Sequence, residues 1–364
     1  MAQPIARPSR ENRMVVVAWG CVTPLGQNAI QSAFGFRAGA SGLGQCAVLD
    51  PTGEVPVMAT VPTLNPYAEG AVRLQPLLLL SIDEALAPIL PVINGLAATV
   101  YFLADEDASP AIHATTTAES LGLVCRDRVR EATNTRARVE VRRTGAAGLG
   151  EVLEQAQAEL NSGTVQLVVI CAAHTDYDRA SIQWLSEHRR LHTPDSLDGM
   201  ILAEMAGTIV LCTATVARQL RLVPALCIQS FAYFTEKATW FNDESAYEAL
   251  ALTLAARHAT EPYVRANKKI GWMSSDASLE SLRIAELQAL ITRLQSRLGP
   301  PQQLDTPGHR IGHLGAAMGL WQTIYAAEAY MRGFACSPEL LCLLGSEQGG
   351  RAALMLSHPD SSPD

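Results

Sequence analysis

The run from Ile311 to Met331, IGHLGAAMGLWQTIYAAEAYM, sets His313 in a glycine-rich turn. The segment after it repeats apolar residues at helical spacing, so an imidazole is presented at the entry to an amphipathic helix. There it can handle protons for a bound group, or bond the backbone of its own turn. The glycines could also hold phosphate at a helix N-terminus, but neither G-x-G-x-x-G nor a lysine-bearing phosphate loop is present. A nucleophile is harder to find. The eight cysteines are scattered, most of them inside apolar runs such as those around Cys171, Cys212, Cys227 and Cys342. Buried, inert thiols are expected there. No C-x-x-C pair and no Cys/His ligand spacing occurs, so neither a zinc site, nor another metal or cofactor, nor a disulfide framework is expected. A reducing, cytoplasmic compartment is the default that follows.

Four further stretches, in order, extend the pattern over most of the chain. Val15 to Leu43 carries T-P-L-G and A-G-A-S-G; Arg143 to Leu160 reads RTGAAGLGEVLEQAQAEL and precedes the apolar VQLVVICAA; Asp198 to Leu211 reads DGMILAEMAGTIVL; Gly345 to Leu356 reads GSEQGGRAALML. Together with the His313 turn they resemble, in sequence order, the motifs of the β-ketoacyl synthases of the thiolase superfamily. Asp198, Gly199, Glu204, Ala206 and Gly207 match the D-G-F-x-x-G-E-G-A-G signature, where Glu204 reads as a carboxylate bracing a turn. The resemblance implies a five-layered αβαβα thiolase-like fold built from two related halves, in which the turns at Gly145 and His313 meet in one central cleft.

The same alignment implies that the catalytic set is missing. The family's cysteine nucleophile falls on Gly145, and between Val139 and Gly150 there is no Cys, Ser or Lys, only the hydroxyl of Thr144. The first catalytic histidine falls on Ser275, counted back through Glu286, and the lysine falls on Gly308. At the terminal loop, the gating phenylalanine and the following asparagine fall on Glu347 and Arg351, which are expected to line the cleft. An unpaired charge there suits an acyl tunnel badly. Of the polar set, His313 alone remains, in a turn about one residue shorter than the family's. Thioester condensation needs an activated thiolate and groups that stabilise the carbonyl, so a chain lacking them is not expected to condense.

The resemblance leaves three readings. The first is a non-catalytic subunit of a thiolase-like complex, pairing with itself or a related chain, including an adaptor or chaperone role for a bacterial secretion-system effector. The second is a chain-length-factor-like partner of an active synthase, acting with an acyl carrier protein. The third is a cysteine-independent thioester decarboxylase or acyltransferase assisted by His313. In the family the dimer joins strands just before the nucleophile turn, here Val139 to Arg143.

Strands and helices must alternate to position these turns. Strands are expected near Val15–Trp19, Ala98–Leu103, Val139–Arg143, Val165–Cys171, Thr208–Cys212, Val223–Ser230 and Lys269–Met273, with more near the C-terminus. Helices are expected near Gln27–Ala38, within Leu77–Ile89, and over Gly148–Leu160, Asp178–Glu187, Glu244–Arg257, Leu279–Leu298 and Gly315–Arg332. That alternation favours α/β layering with largely parallel sheets. Residues 1–13 read as a disordered lead-in, 14–212 as the first half and 213–364 as the second, with the joint at Thr213–Leu222 and no residue-level repeat between the halves. With 364 residues, 48% hydrophobic and 18% charged, the chain can bury an extensive core. A net charge of −8 argues against nucleic acid as a partner, and the arginine-rich stretch Cys125 to Arg143 reads as a solvated helix and strand face. No apolar run is long enough to span a membrane.

Overall fold

The two longest fully buried strands set the architecture, because a strand buried on both faces needs a layer above and a layer below. The computed structural model describes residues 12–106, 115–134, 136–193, 195–242 and 246–361; most of the expected lead-in lies outside them. In chain order the elements are β1 (Met14–Val22), α1 (Ala29–Arg37), β2 (Leu43–Gln45), β3 (Val57–Ala59), α2 (Ala71–Leu86), α3 (Leu90–Ile93), β4 (Ala98–Ala104), α4 (Thr115–Thr133), β5 (Ala137–Arg143), α5 (Gly148–Ser162), β6 (Leu167–Thr175), α6 (Arg179–Glu187) and β7 (Leu202–Thr213). There follow α7 (Ala214–Gln219), β8 (Leu226–Thr235), α8 (Leu250–Arg265), β9 (Trp272–Ser275), α9 (Ser281–Leu298), β10 (Gln303–Asp305), α10 (Gly308–Ile311), α11 (Met318–Met331), β11 (Glu339–Gly345) and β12 (Gly350–Ser357).

The strands run in the order β10-β9-β11-β12-β8-β1-β7-β6-β4-β5. This is one five-strand pattern used twice. In β1-β7-β6-β4-β5 and in β8-β12-β11-β9-β10, the first two pairings are antiparallel and the last two parallel. Among the described residues, only the short pairing of Met14–Val16 with Leu226–Ile228 joins the two sets. Alternate residues of each strand face opposite layers. Val100, Phe102, Val169 and Cys171 pack outward with Leu78 and Ile82 of α2 and Cys125 of α4, whereas Tyr101, Leu103, Val168 and Ile170 face inward. On the other side Met273, Leu341, Leu343 and Met355 pack with Ala255 of α8 and Leu290 of α9. Between the sheets lie α5 and α11, with Leu153 and Ala156 from one and Trp321 and Ile324 from the other. The layers are therefore helix, sheet, helix, sheet, helix, as expected from the sequence.

The central helices start alike. Gly145-Ala146-Ala147 and Gly315-Ala316-Ala317 each form a 3-10 turn, with glycine φ of 61° and 47°, running into α5 and α11. The same three residues recur at equivalent places in the two halves, so a short residue-level repeat exists where none was expected. Where the helices meet, Gly319 faces Leu149, and a Cβ there would lie 3.0 Å from the leucine's.

Several expected boundaries move. β6 continues to Thr175 because its ladder with β7 persists as far as Thr175↔Glu204, and β7 starts at Leu202, so Glu204 lies within a strand instead of a turn. There its carboxylate accepts bonds from Val61 N at 2.7 Å and from Arg73 Nε at 2.7 Å, tying the strand to α2. The helix expected at Glu244–Arg257 is α8, eight residues longer at its end and starting at Leu250, where Glu236 accepts from the free N–H groups of Leu250 and Ala251. β9 lies later than expected, paired to β11 from Leu340↔Trp272 onward. The joint carries the short helix α7, capped by Thr213. The arginine-rich stretch ends α4 and supplies β5.

Candidate functional site

The turns at Gly145 and His313 converge on one cleft, which opens to solvent and spans about 540 Å³ including its mouth. Its floor is the end of β4, the end of β6, the two 3-10 turns and the loop between β11 and β12. Gly145 is buried, and a Cβ there would lie 3.1 Å from Ser346 Oγ and 3.2 Å from Cγ and Cδ of Glu106. Ser346 Oγ accepts from Ala147 N at 2.8 Å and donates to the Thr144 carbonyl, locking the turn to the terminal loop.

A buried acid–imidazole chain occupies the floor. Asp105 accepts from Ala316 N at 2.6 Å and bonds His174 Nδ1 at 2.6 Å; His174 Nε2 bonds Asp176 Oδ2 at 2.9 Å, and Asp176 also accepts from Ala203 N at 3.1 Å. Gly315 makes this possible, since any Cβ there would run into Asp105 and His174. Burial disfavours a charge on His174, but the flanking Asp176 and Asp105 carboxylates outweigh it and hold the imidazole well above its ordinary range. Asp176 is itself pushed up by burial, yet His174 and its hydrogen bond bring it below the usual carboxylate range. The His313 ring stands edge-on to His174 with centroids 5.4 Å apart, its backbone fixed by a 2.8 Å bond to the Ile201 carbonyl. Its Nδ1 is buried without a hydrogen-bond partner among the described residues. Beside this chain, burial first, with Glu347 and Asp105 adding repulsion, raises Glu106 to about 7 despite bonds from the Gln348 and Glu347 amides.

His313 also borders an adjoining chamber whose wall is made of paired charges. Arg190 bridges Glu280 at 2.9 Å and Glu347 at 2.7 Å. Arg351, 2% exposed, bonds Glu286 at 2.6 Å, and Arg283 spans Asp276 and Glu286. Glu347 borders both the cleft and this chamber, Arg351 the chamber, and both charges are paired.

The other positions read from the sequence lie off the floor. Ser275 ends β9, buried, its Oγ accepting from Ala277 N at 3.1 Å; the lining residues near it are Asp276 and Ser278. Gly308 opens α10, where a Cβ would sit 3.5 Å from Ser278, and it borders neither chamber. Asp198 caps α9, accepting from Ser281 N at 2.8 Å and from Ser281 Oγ at 2.6 Å. Cys171 is buried in β6. Asp105, Glu106, His174 and Asp176 lie outside the motifs legible in the sequence. Their signal was the alternation of His174 and Asp176 at the end of an apolar run, with His174 in the strand once it is continued beyond Cys171 and Asp176 just past its end.

No family model matches the sequence, and no curated protein matches it. Solved structures do match. The ketosynthase from module 6 of the bacillaene synthase of Bacillus subtilis 168 superposes with a TM-score of 0.75 at 13% identity, over 95% of this chain and 72% of that one. A type II polyketide ketosynthase, in complex with its acyl-carrier protein and bound to the hexaketide, gives 0.74 at 14% identity, over 98% and 100%. The ishigamide ketosynthase/chain length factor gives 0.68 at 17%, over 95% and 99%. The chain therefore has the thiolase-like fold of these ketosynthases and chain length factors over almost all of its length.

Proposed function

We propose that this thiolase-fold chain does not condense acyl thioesters and works by association, as a subunit paired with itself or with a related chain. The observation that carries the reading is the turn at Gly145. Gly145, on which the sequence resemblance sets the nucleophile, offers neither thiol nor hydroxyl, and the space a side chain would enter is bordered by Glu106 and by Ser346, which bonds both Ala147 and Thr144. A carboxylate at that distance opposes formation of a thiolate.

The edge strand supports association. β5 ends the strand order, pairs only with β4 among the described residues, and leaves seven residues of backbone open on its other side. Open edges are normally covered or paired. Antiparallel self-pairing about Val141 would set Glu140 opposite the partner's Arg142 on both sides of the two-fold axis, and each such cross-strand pair adds about 0.2–1 kcal/mol. The chamber behind Glu347, walled by Arg190, Glu280, Arg283 and Arg351, is too polar to favour an acyl chain. That favours the adaptor or chaperone role, for a protein such as a secretion-system effector, over a chain-length-factor role beside an acyl carrier protein. The test has two arms. Acyl and malonyl thioesters should leave the mass of the purified chain unchanged and release no carbon dioxide, and sedimentation should show a dimer, alone or with a neighbouring gene product. Turnover lost in Ser275→Ala, or a monomer in every mixture, would overturn the proposal.

A further inference from the structure

Two histidines and an aspartate from different parts of the chain come together on the cleft floor. His174 lies at the end of β6 and Asp176 just past it, and His313 is brought to them by the turn before α11. One donor atom from each lies within 4.8 Å of the other two. We infer that His174, Asp176 and His313 form a binding site for a divalent first-row transition metal, with Zn²⁺ its leading occupant.

Three features beyond proximity support this. The donor set is two imidazoles and one carboxylate, which suits zinc and its first-row neighbours better than the all-oxygen sets that hold calcium or magnesium. Asp105, at 2.6 Å from His174 Nδ1, leaves Nε2 as the nitrogen facing Asp176, and its other oxygen is anchored by the Ala316 amide. An outer carboxylate on the far nitrogen is the arrangement that orients metal-bound histidines. His313 has a buried Nδ1 with no hydrogen-bond partner among the described residues, a polar atom whose burial is otherwise uncompensated.

Donors on a tetrahedral ion stand roughly 3–3.5 Å apart, given ligand bonds of about 2.0–2.2 Å. The cluster therefore needs a small inward shift of His313 and insertion of the ion between His174 Nε2 and Asp176 Oδ2. Asp105 stays where it is. All three ligands line the cleft, so the coordination position they leave open faces its interior. Sequence spacing could not reveal this set, because it contains no cysteine and joins both halves of the fold. The inference goes beyond the association proposed above and stands or falls separately, since it concerns the isolated chain.

The experiment uses the full chain carrying Cys336→Ser, which removes the exposed thiol, stripped with chelator and titrated with Co²⁺ and then Zn²⁺. One equivalent of Co²⁺ should give ligand-field bands that Zn²⁺ abolishes, and Zn²⁺ should raise the thermal midpoint as a native-state ligand does. Asp105→Asn should weaken binding about 10–100-fold, as loss of an outer carboxylate does. His313→Ala and Asp176→Ala should weaken it at least as much. His313 is partly exposed, so metal-free His313→Ala should melt near the parent; if it does not, His313→Gln takes its place. Absence of saturable metal binding in the parent chain, or unchanged cobalt bands in the folded His313 variant, would overturn the inference.

Discussion

Installing a thiol at the empty elbow, Gly145→Cys, tests how far the cleft has moved from thioester chemistry. Gly145 sits at φ 61°, in the left-handed region, where any side chain costs about 1–2 kcal/mol relative to glycine. The new Cβ would press on Ser346 Oγ at 3.1 Å and on Glu106 at 3.2 Å, and relieving that contact disturbs the bonds of Ser346 to Ala147 and Thr144. A total destabilisation of about 2–3 kcal/mol is expected, since one net hydrogen bond is worth about 1 kcal/mol. Chemically the thiol gains little. Glu106 is its nearest ionisable neighbour, and above about pH 7 its negative charge opposes a thiolate. In a Cys336→Ser background, Gly145→Cys should therefore melt a few degrees lower and take up acyl groups no faster than the exposed cysteine it replaces as a target, followed by intact mass and peptide mapping. Fast acylation mapped to position 145 and abolished by His313→Ala would refute the reasoning, because it would mean the cleft still activates a thiol.

Glu106 also gives stability a pH dependence. Its pKa rises from an ordinary glutamate value to about 7 on folding, so between those values the folded state holds more protons than the unfolded one, and stability is lost as pH rises through the window. Denaturation with chelator present should show Glu106→Gln and the parent alike near pH 5 and the variant more stable by roughly 2–3 kcal/mol near pH 8; a pH-independent difference would contradict this. Glu204→Ala should cost about 3–5 kcal/mol, because it strands the buried Arg73 guanidinium. The half-exposed Arg128–Asp83 pair should contribute at most about 1 kcal/mol, so Arg128→Ala serves as its control in the same urea titration. Reversing the edge charge with Arg142→Glu should weaken self-association in sedimentation while leaving the monomer's circular dichroism intact, and an unchanged dimer would exclude pairing through β5.

The sequence by itself determined the alternation of elements and hence the layers. Strands such as Val165–Cys171 are apolar on both faces, which only a sandwiched sheet tolerates, and the glycine turns before α5 and α11 are visible as composition. Gly145 and His313, whose order along the chain follows the other motifs, line one cleft. Element ends were less legible, because they depend on partners far away in the chain. β6 runs past its apolar stretch because β7 continues to pair with it as far as Thr175, which brings His174 into the strand and leaves Asp176 just beyond its end. Pairing was invisible for the same reason. Glu347 and Arg351 read as solitary charges until Arg190 and Glu286 arrive from other elements. Only the tertiary structure sets Asp105, His174, Asp176 and His313 against one another, since the contacts that perturb a buried ionisable group come from whatever the fold packs beside it.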